Sequence, residues 1–445
     1  YKYHLILTHN QMMKHYKSFL IMFFLFSSFS LLQVMGEEKQ TVVPKPFAEF
    51  LSENMKKTDG AFPVYQEGNR VYMEFPRKWN GREIEVSGQI DHGFGMINRS
   101  VNSLGVVRLS IPDSMTVEFL QPFYTERIMD RKSTYWDAFR ASNVPVAGVE
   151  YPAVAISQDG NPIIDITDVV KGEKEWVSYS QYPDVRSLDP DMSKLNSVQV
   201  ISPQKGSSSG REEVVLKVVR YHEAESEQYA FNSMAIILPN GSKPLYLSIC
   251  LRLLPEKDMP IRLATEGLDI QTIHFKDYSQ NPYTVVDDSL VMRLQPKCAC
   301  MVYVDSLVPN KYKEALQKGI LSWNESLAKA KVKLRIHLNS IKSGIDAASV
   351  PFLVSYDMGK VGVSSQKTVH PRTGEILSFR INVGHDFKKS FKPVELQKLI
   401  HQEFGHVLGL SKVSDDAAQV NALSYLYCVQ KSKNVYQDRE FITKK

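Results

Sequence analysis

The stretch HQEFGHVLGLSK, His401 to Lys412, carries the residue types of a metal-bound, water-activating site at helical spacing. In the general arrangement H-E-x-x-H, imidazoles at i and i+4 lie about one turn apart on one helical face and reach a single metal. The Glu beside the first His takes a proton from the metal-bound water. A Gly three residues after the second His turns the chain sharply, so that a third His closes the coordination. Here Glu403, Phe404, Gly405, His406, Leu408, Gly409 and Leu410 keep that register, but Gln402 stands at the first imidazole position and Lys412 at the third. A neutral amide oxygen is far less basic than imidazole, and Lys is protonated near neutral pH, so neither replaces a lost ligand. His401 does not repair the first loss, because it lies roughly 140° around the helix from His406. A metal position so vacated leaves the Glu403 carboxylate without a cation, and Lys412 is expected to supply the charge by pairing with Glu403 and approaching His406. The plain alternative is an amphipathic helix that ends in a Gly cap, with His406 on a core face.

Several elements must position these residues. Pro393, at a first helical position, opens a helix expected to run through Leu410. Residues 311–330 place Leu316, Ile320, Trp323 and Leu327 on one helical face. Residues 301–304, 332–338, 352–356 and 376–381 read as strands, with His370-Pro-Arg-Thr-Gly-Glu375 as a tight turn leading into the last. Upstream, Val71, Met73 and Phe75, then Ile84, Val86 and Ile90, then Val107, Leu109 and Ile111 alternate as half-buried strands do. The pattern resumes at 163–170 and 214–221, and 234–238 with 245–253 reads as a hairpin around Asn240-Gly241.

The chain has 445 residues, 43% hydrophobic and 23% charged, enough for two or three cores. Its net charge of +5 is spread along the whole length, which excludes a basic nucleic-acid tail and with it nucleic acid as an expected partner. A basic stretch, MMKHYK, followed by SFLIMFFLFSSFSLLQVMG, reads as a secretory signal peptide cleaved near Gly36, with residues 1–11 as upstream sequence. The alternative is an uncleaved anchor, and no other membrane segment is expected. The location is therefore secreted, periplasmic or cell-surface. The four cysteines, Cys250, Cys298, Cys300 and Cys428, read as buried or incidental thiols rather than as a disulfide framework or a metal site. The organisation is 1–36 signal segment, 37–58 polar linker, 59–295 β-rich region with a possible division near 125–150, and 296–445 an α+β domain.

With these residues in view, 393–412 resembles the active-site helix of metzincin-type zinc peptidases, and Ala422-Leu423-Ser424-Tyr425 resembles their Met-turn with Leu423 in place of Met. The wider chain, from DGAFPVYQEGNRVYMEFP through RYHEAESEQYAF, MPIRLATEGLDIQTIHFKDYS and HPRTGEILSFRI, resembles large secreted bacterial zinc-dependent metalloproteases with a β-rich N-terminal half. The resemblance implies an α+β fold in which a β-rich region precedes a zincin-like domain, here incomplete at its C-terminal end. It implies zinc as the cofactor, lost or weak in this chain. Glu403 would be the catalytic base and His406 a metal ligand, with Gly405, Gly409, Leu423 and Tyr425 shaping the site. HPRTGEIL would lead into the strand that pairs with substrate backbone. The reading is an exported, catalytically degenerate member that keeps a peptide- or protein-binding cleft. One alternative is an active metallopeptidase that recruits His370, His385 or Cys428 beside His406. Another is a β-rich adhesion or carbohydrate-binding protein to which the helix is incidental.

Overall fold

Alternating apolar residues upstream of residue 295 form strands, and most of these strands join one sheet. The computed structural model describes residues 43–427 except 123, 130–131, 183–184, 186, 203–211, 224–227, 232–233, 238–241, 280–284, 297–298, 342–345, 386–390 and 414–416. The signal segment proposed from the sequence lies outside the described residues, and no described helix is long and apolar enough to cross a membrane. Among the described residues the largest sheet has 13 strands. Eleven of them run from Leu188–Ile201 through Glu212–Glu223, Ser242–Leu253, Glu83–Gly93, Gly105–Ser110, Thr116–Gln121, Val146–Ile156, Pro162–Asp165, Arg70–Glu74 and Val64–Glu67 to Lys56–Thr58, while Lys45–Pro46 pairs with Val146–Ile156 and Met96–Ser100 with Glu83–Gly93 off this path. Ile84, Val86, Ile90, Val107, Leu109, Val71, Met73 and Phe75 all lie in its core, as their period predicts.

The sheet curls until its ends approach each other. Arg220, buried in the strand Glu212–Glu223, donates to the carbonyls of Val169 at 2.6 Å and Val170 at 3.2 Å in the short helix Thr167–Lys171. That helix also meets the opposite end of the sheet, where the Val71 amide donates to Thr167 Oγ1 at 3.0 Å. A Cβ added to Gly60 would stand 2.9 Å from Val200 of the far edge strand, so the small residue permits the closure. Residues 44–58, read as linker, are part of this structure. Phe47, Phe50 and Met55 cover Tyr65 and Tyr72 on the outer face, with Phe50 and Tyr72 edge to face at 5.1 Å.

The hairpin expected between 234–238 and 245–253 does not form. Met234–Ile237 pairs with Gln228–Phe231, whereas Ser242–Leu253 pairs along its whole length with Glu212–Glu223. Leu245, Leu247, Ile249 and Leu251 match the buried face of that longer partner, so sheet packing outweighs the local turn signal.

The remaining chain builds a five-stranded sheet in the order Arg335–Ser340, Ala299–Val304, Phe352–Val361, Ile376–His385, Val363–Val369. The first four strands are parallel and Val363–Val369 is antiparallel at the edge. Helices Asn310–Leu321, Trp323–Lys329 and Pro393–Val407 pack on this part, and Leu316, Ile320, Trp323 and Leu327 are buried as their spacing predicts. The expected α+β, zincin-like architecture is nevertheless corrected: the described residues are 47% strand and 20% helix and are dominated by the nearly closed barrel-like sheet. The strong helical periods drew attention to 311–330 and 393–410. Of the long strands that outweigh them, Glu212–Glu223 and Ser242–Leu253, 12 residues each, read from the sequence as shorter pieces, and the 14-residue Leu188–Ile201 is not read as a strand at all.

The two sheets are joined by polar contacts. Asn98 donates to Asp305 at 2.6 Å, Arg99 pairs with the fully buried Asp357, and Arg380 donates to Gln89 at 3.0 Å. The described residues from Pro44 onward form one compact unit.

Candidate functional site

The motif helix Pro393–Val407 has Pro in its first turn and buries Leu396, Ile400, Phe404 and Val407. This leaves Gln402 exposed and Glu403 and His406 half-buried on the outer side. The helix stops at Val407, three residues short of the sequence expectation, because Gly409 adopts φ +106°. A Cβ there would also stand 2.2 Å from the Met292 carbonyl oxygen. Gly405 is needed for a different reason, since its Cβ would meet Val413 Cγ2 at 2.4 Å and Trp323 Cζ2 at 2.7 Å. Beyond the helix the chain is tied to 269–271. The Gln271 amide donates to the Gly409 carbonyl at 2.8 Å, Gln271 Nε2 to the Leu410 carbonyl at 2.9 Å, and the Ser411 amide to the Asp269 carbonyl at 3.0 Å.

This stitching sets the direction of Lys412 and overturns its expected pairing. Its ammonium lies 3.3 Å from Asp269, with the two side chains 79% and 54% exposed, so it points into solvent and not at Glu403. Glu403 finds a neutral partner instead, as Ser365 Oγ donates to its Oε2 at 2.7 Å. His406 Nδ1 lies 3.0 Å from the Leu410 carbonyl oxygen. A carbonyl only accepts, so Nδ1 carries the proton and Nε2 is left as the free ring nitrogen. The cation at this end of the helix is Lys367. It donates to the His406 carbonyl at 2.8 Å and to Gln271 Oε1, and burial pulls its pKa down to about 8.

Ser365 and Lys367 are i and i+2 on the edge strand Val363–Val369, so both face the motif helix. Sequence reading missed them because Ser364, Gln366 and Thr368 are also polar, which hides the alternation in VSSQKTV. The strand after HPRTGEIL was expected to pair with substrate. It is Ile376–His385, which is hydrogen-bonded on both sides, to Phe352–Val361 and to Val363–Val369, and so has no free edge. On this side of the sheet the edge strand is Val363–Val369, which pairs with no described strand other than Ile376–His385.

The segment likened to a Met-turn is not a turn. Leu423 and Tyr425 lie within the helix Ala417–Tyr427, with Leu423 fully buried. The Tyr425 hydroxyl accepts from Thr265 Oγ1 at 3.0 Å and donates to the Leu263 carbonyl.

His401 and His370 are engaged elsewhere. His401 stacks on Trp323 with centroids 4.4 Å apart, and its Nδ1 lies 2.9 Å from Ser322 Oγ. His385 ends its strand, where its carbonyl accepts from the Gly362 amide at 3.0 Å. Cys428 lies outside the described residues. His370 joins Glu83 and Asp258 in a cluster whose ligand atoms lie within 4.8 Å of one another, a spacing that suits a metal. Its chemistry does not. The Arg372 amide donates to His370 Nδ1 at 3.2 Å, so Nε2 carries the proton and donates to Glu83 at 3.1 Å. The Arg372 guanidinium already bridges Glu83 and Asp258. Burial alone would raise the Glu83 pKa, but hydrogen bonds from His370 and Arg372 hold it well below the usual carboxylate range. The cluster is an ion-pair latch that fastens the turn 370–375 to the strand Glu83–Gly93.

The donor set at the motif helix does not fit zinc. His406 offers one imidazole nitrogen, Gln402 an amide, and Lys412 is directed away. Among the described residues no group of three metal-ligating side chains includes His406.

A family model described as a domain of unknown function, DUF5118, matches residues 44–92. This stretch supplies Lys56–Thr58, Val64–Glu67, Arg70–Glu74 and most of Glu83–Gly93, including Glu83 and Gln89. No curated protein and no solved structure matches the chain.

Proposed function

We propose that this chain is an exported, catalytically degenerate relative of secreted zinc-dependent metallopeptidases, which binds an extended peptide beside the motif helix without cleaving it. The observation that carries this reading is the Ser365–Glu403 hydrogen bond, 2.7 Å between the edge strand and the helix. The carboxylate that would take a proton from activated water is held by a hydroxyl, while the adjacent strand keeps an unpaired edge. Such an edge adds a peptide strand through main-chain hydrogen bonds. Without a Lewis acid, water near Glu403 keeps its ordinary high pKa, and a carboxylate base alone does not generate hydroxide.

The test is incubation of the purified chain with a pool of unstructured peptides, read by mass spectrometry for cleavage and by hydrogen exchange for protection of 363–369. Intact peptides with slowed exchange in that strand support the reading. Chelator-sensitive cleavage that disappears in Glu403→Ala, or no protection at any peptide concentration, rejects it.

A further inference from the structure

The edge strand Val363–Val369 sends alternate side chains to two sides. Ser365 and Lys367 reach the motif helix. Gln366 and Thr368 alternate to the other side, and together with the intervening Lys367 they border a cavity of about 360 Å³ in the seam between the five-stranded and the barrel-like sheets. Arg380 and Ser378 of the neighbouring strand share its wall, with Arg380 directly opposite Gln366 and Ser378 opposite Thr368. Gln89 and Arg252 close the far side, and no described Asp or Glu lines the cavity.

The wall is rich in hydrogen-bond donors. Arg252 is held from behind by Glu85 at 2.6 Å and Glu213 at 3.2 Å, both fully buried. Arg380 donates to Gln89 Oε1 at 3.0 Å and to the carbonyls of Pro351 at 2.9 Å and Phe379 at 3.0 Å. Guanidinium and amide groups therefore converge on a space that no described Asp or Glu lines, while the Ser378 hydroxyl already donates to Glu85 at 3.4 Å behind the wall. A carboxylate accepts charge-assisted hydrogen bonds from such a wall and gains more than a neutral amide would.

We propose that this cavity receives an Asp or Glu side chain of the peptide laid along Val363–Val369. The proposal rests on the peptide-binding reading above and names its specificity. A strand added to that edge drops every second side chain on the cavity side, so an acid is selected at alternate peptide positions while the intervening residues face Ser365 and Lys367.

The experiment uses the full chain and a set of N-acetylated, C-amidated, fluorescein-tagged heptapeptides, with Glu, Gln, Lys or Ala at alternate positions, titrated by fluorescence polarisation. Two variants accompany the parent. Arg380→Gln removes the charge, and Gln366→Leu alters the exposed wall without touching the joint between the sheets. Replacing a charged hydrogen-bond partner by a neutral one costs on the order of tenfold or more in affinity. The Glu peptide is therefore expected to bind about tenfold tighter than its Gln counterpart, with most of that advantage lost in either variant. Peptides that bind with no Glu advantage, or with an advantage that survives both substitutions, overturn the cavity assignment and leave edge-strand binding standing. No binding by any peptide of the set overturns both.

Discussion

Lys367 gives the most quantitative prediction. Its half-buried ammonium lies between the edge strand and the motif helix and donates to neutral acceptors, the His406 carbonyl and Gln271 Oε1, and its pKa falls from 10.5 to about 8. That is a factor of about 300 in proton affinity, or about 3 kcal/mol at roughly 1.4 kcal/mol per tenfold. Because the folded state holds this proton less tightly than the unfolded chain, the unfolded chain binds more protons between about pH 8 and 10.5, and stability rises with pH across that window. Below pH 8 the group is charged in both states and the burial penalty is fully present. Lys367→Met removes the titrating group. Denaturant melts at half-unit steps from pH 7 to 10.5 should show the parent gaining up to about 3 kcal/mol relative to Lys367→Met over that range. Parallel pH curves for the two proteins, or a parent that loses stability relative to the variant, would refute the placement of this amine in a desolvated site.

Other expectations follow from single contacts. Gly409→Ala should destabilise the fold by about 2 kcal/mol or more in denaturant melts, because the site demands both φ +106° and the space in front of the Met292 carbonyl. Ser365→Ala and Glu403→Gln should be non-additive by about 1 kcal/mol in a double-mutant cycle, and simple additivity would mean that the hydrogen bond contributes nothing. Lys412→Met should leave the denaturation midpoint unchanged, since its ion pair with Asp269 is exposed. Glu83 has a lowered folded pKa, so its contribution is complete above the ordinary value of 4.5 and is lost as pH falls below it. Glu83→Gln should therefore be less stable than the parent at pH 7 and lose less on acidification, as followed by circular dichroism.

Period and turn chemistry carried part of this structure into the sequence. Apolar alternation placed Val71, Ile84 and Val107 in the core, and the step of Leu316, Ile320, Trp323 and Leu327 placed a helix face correctly. Gly409 is legible because the motif register calls for a sharp turn there, whereas the packing of Gly405 against Val413 and Trp323 is visible only in the structure. Pairing was less legible. Nothing in the local sequence shows that 245–253 prefers the strand at 212–223 over 234–238, since that choice is made by matching long buried faces across the sheet. The direction of Lys412 depends on three backbone and side-chain bonds to 269–271, a segment more than a hundred residues upstream. Ser365, Lys367 and Gln271 stayed hidden for the same reason, as their role appears only once the edge strand lies over the helix.

On the proposed reading the motif helix keeps its shape without a zinc site, because His406 is its one imidazole at a ligand position and Lys412 turns outward. Elemental analysis of the purified chain, equilibrated with excess zinc and then desalted, tests this directly. The expected result is a zinc content far below one ion per chain, unchanged by His406→Ala. One zinc per chain that disappears in His406→Ala would contradict it.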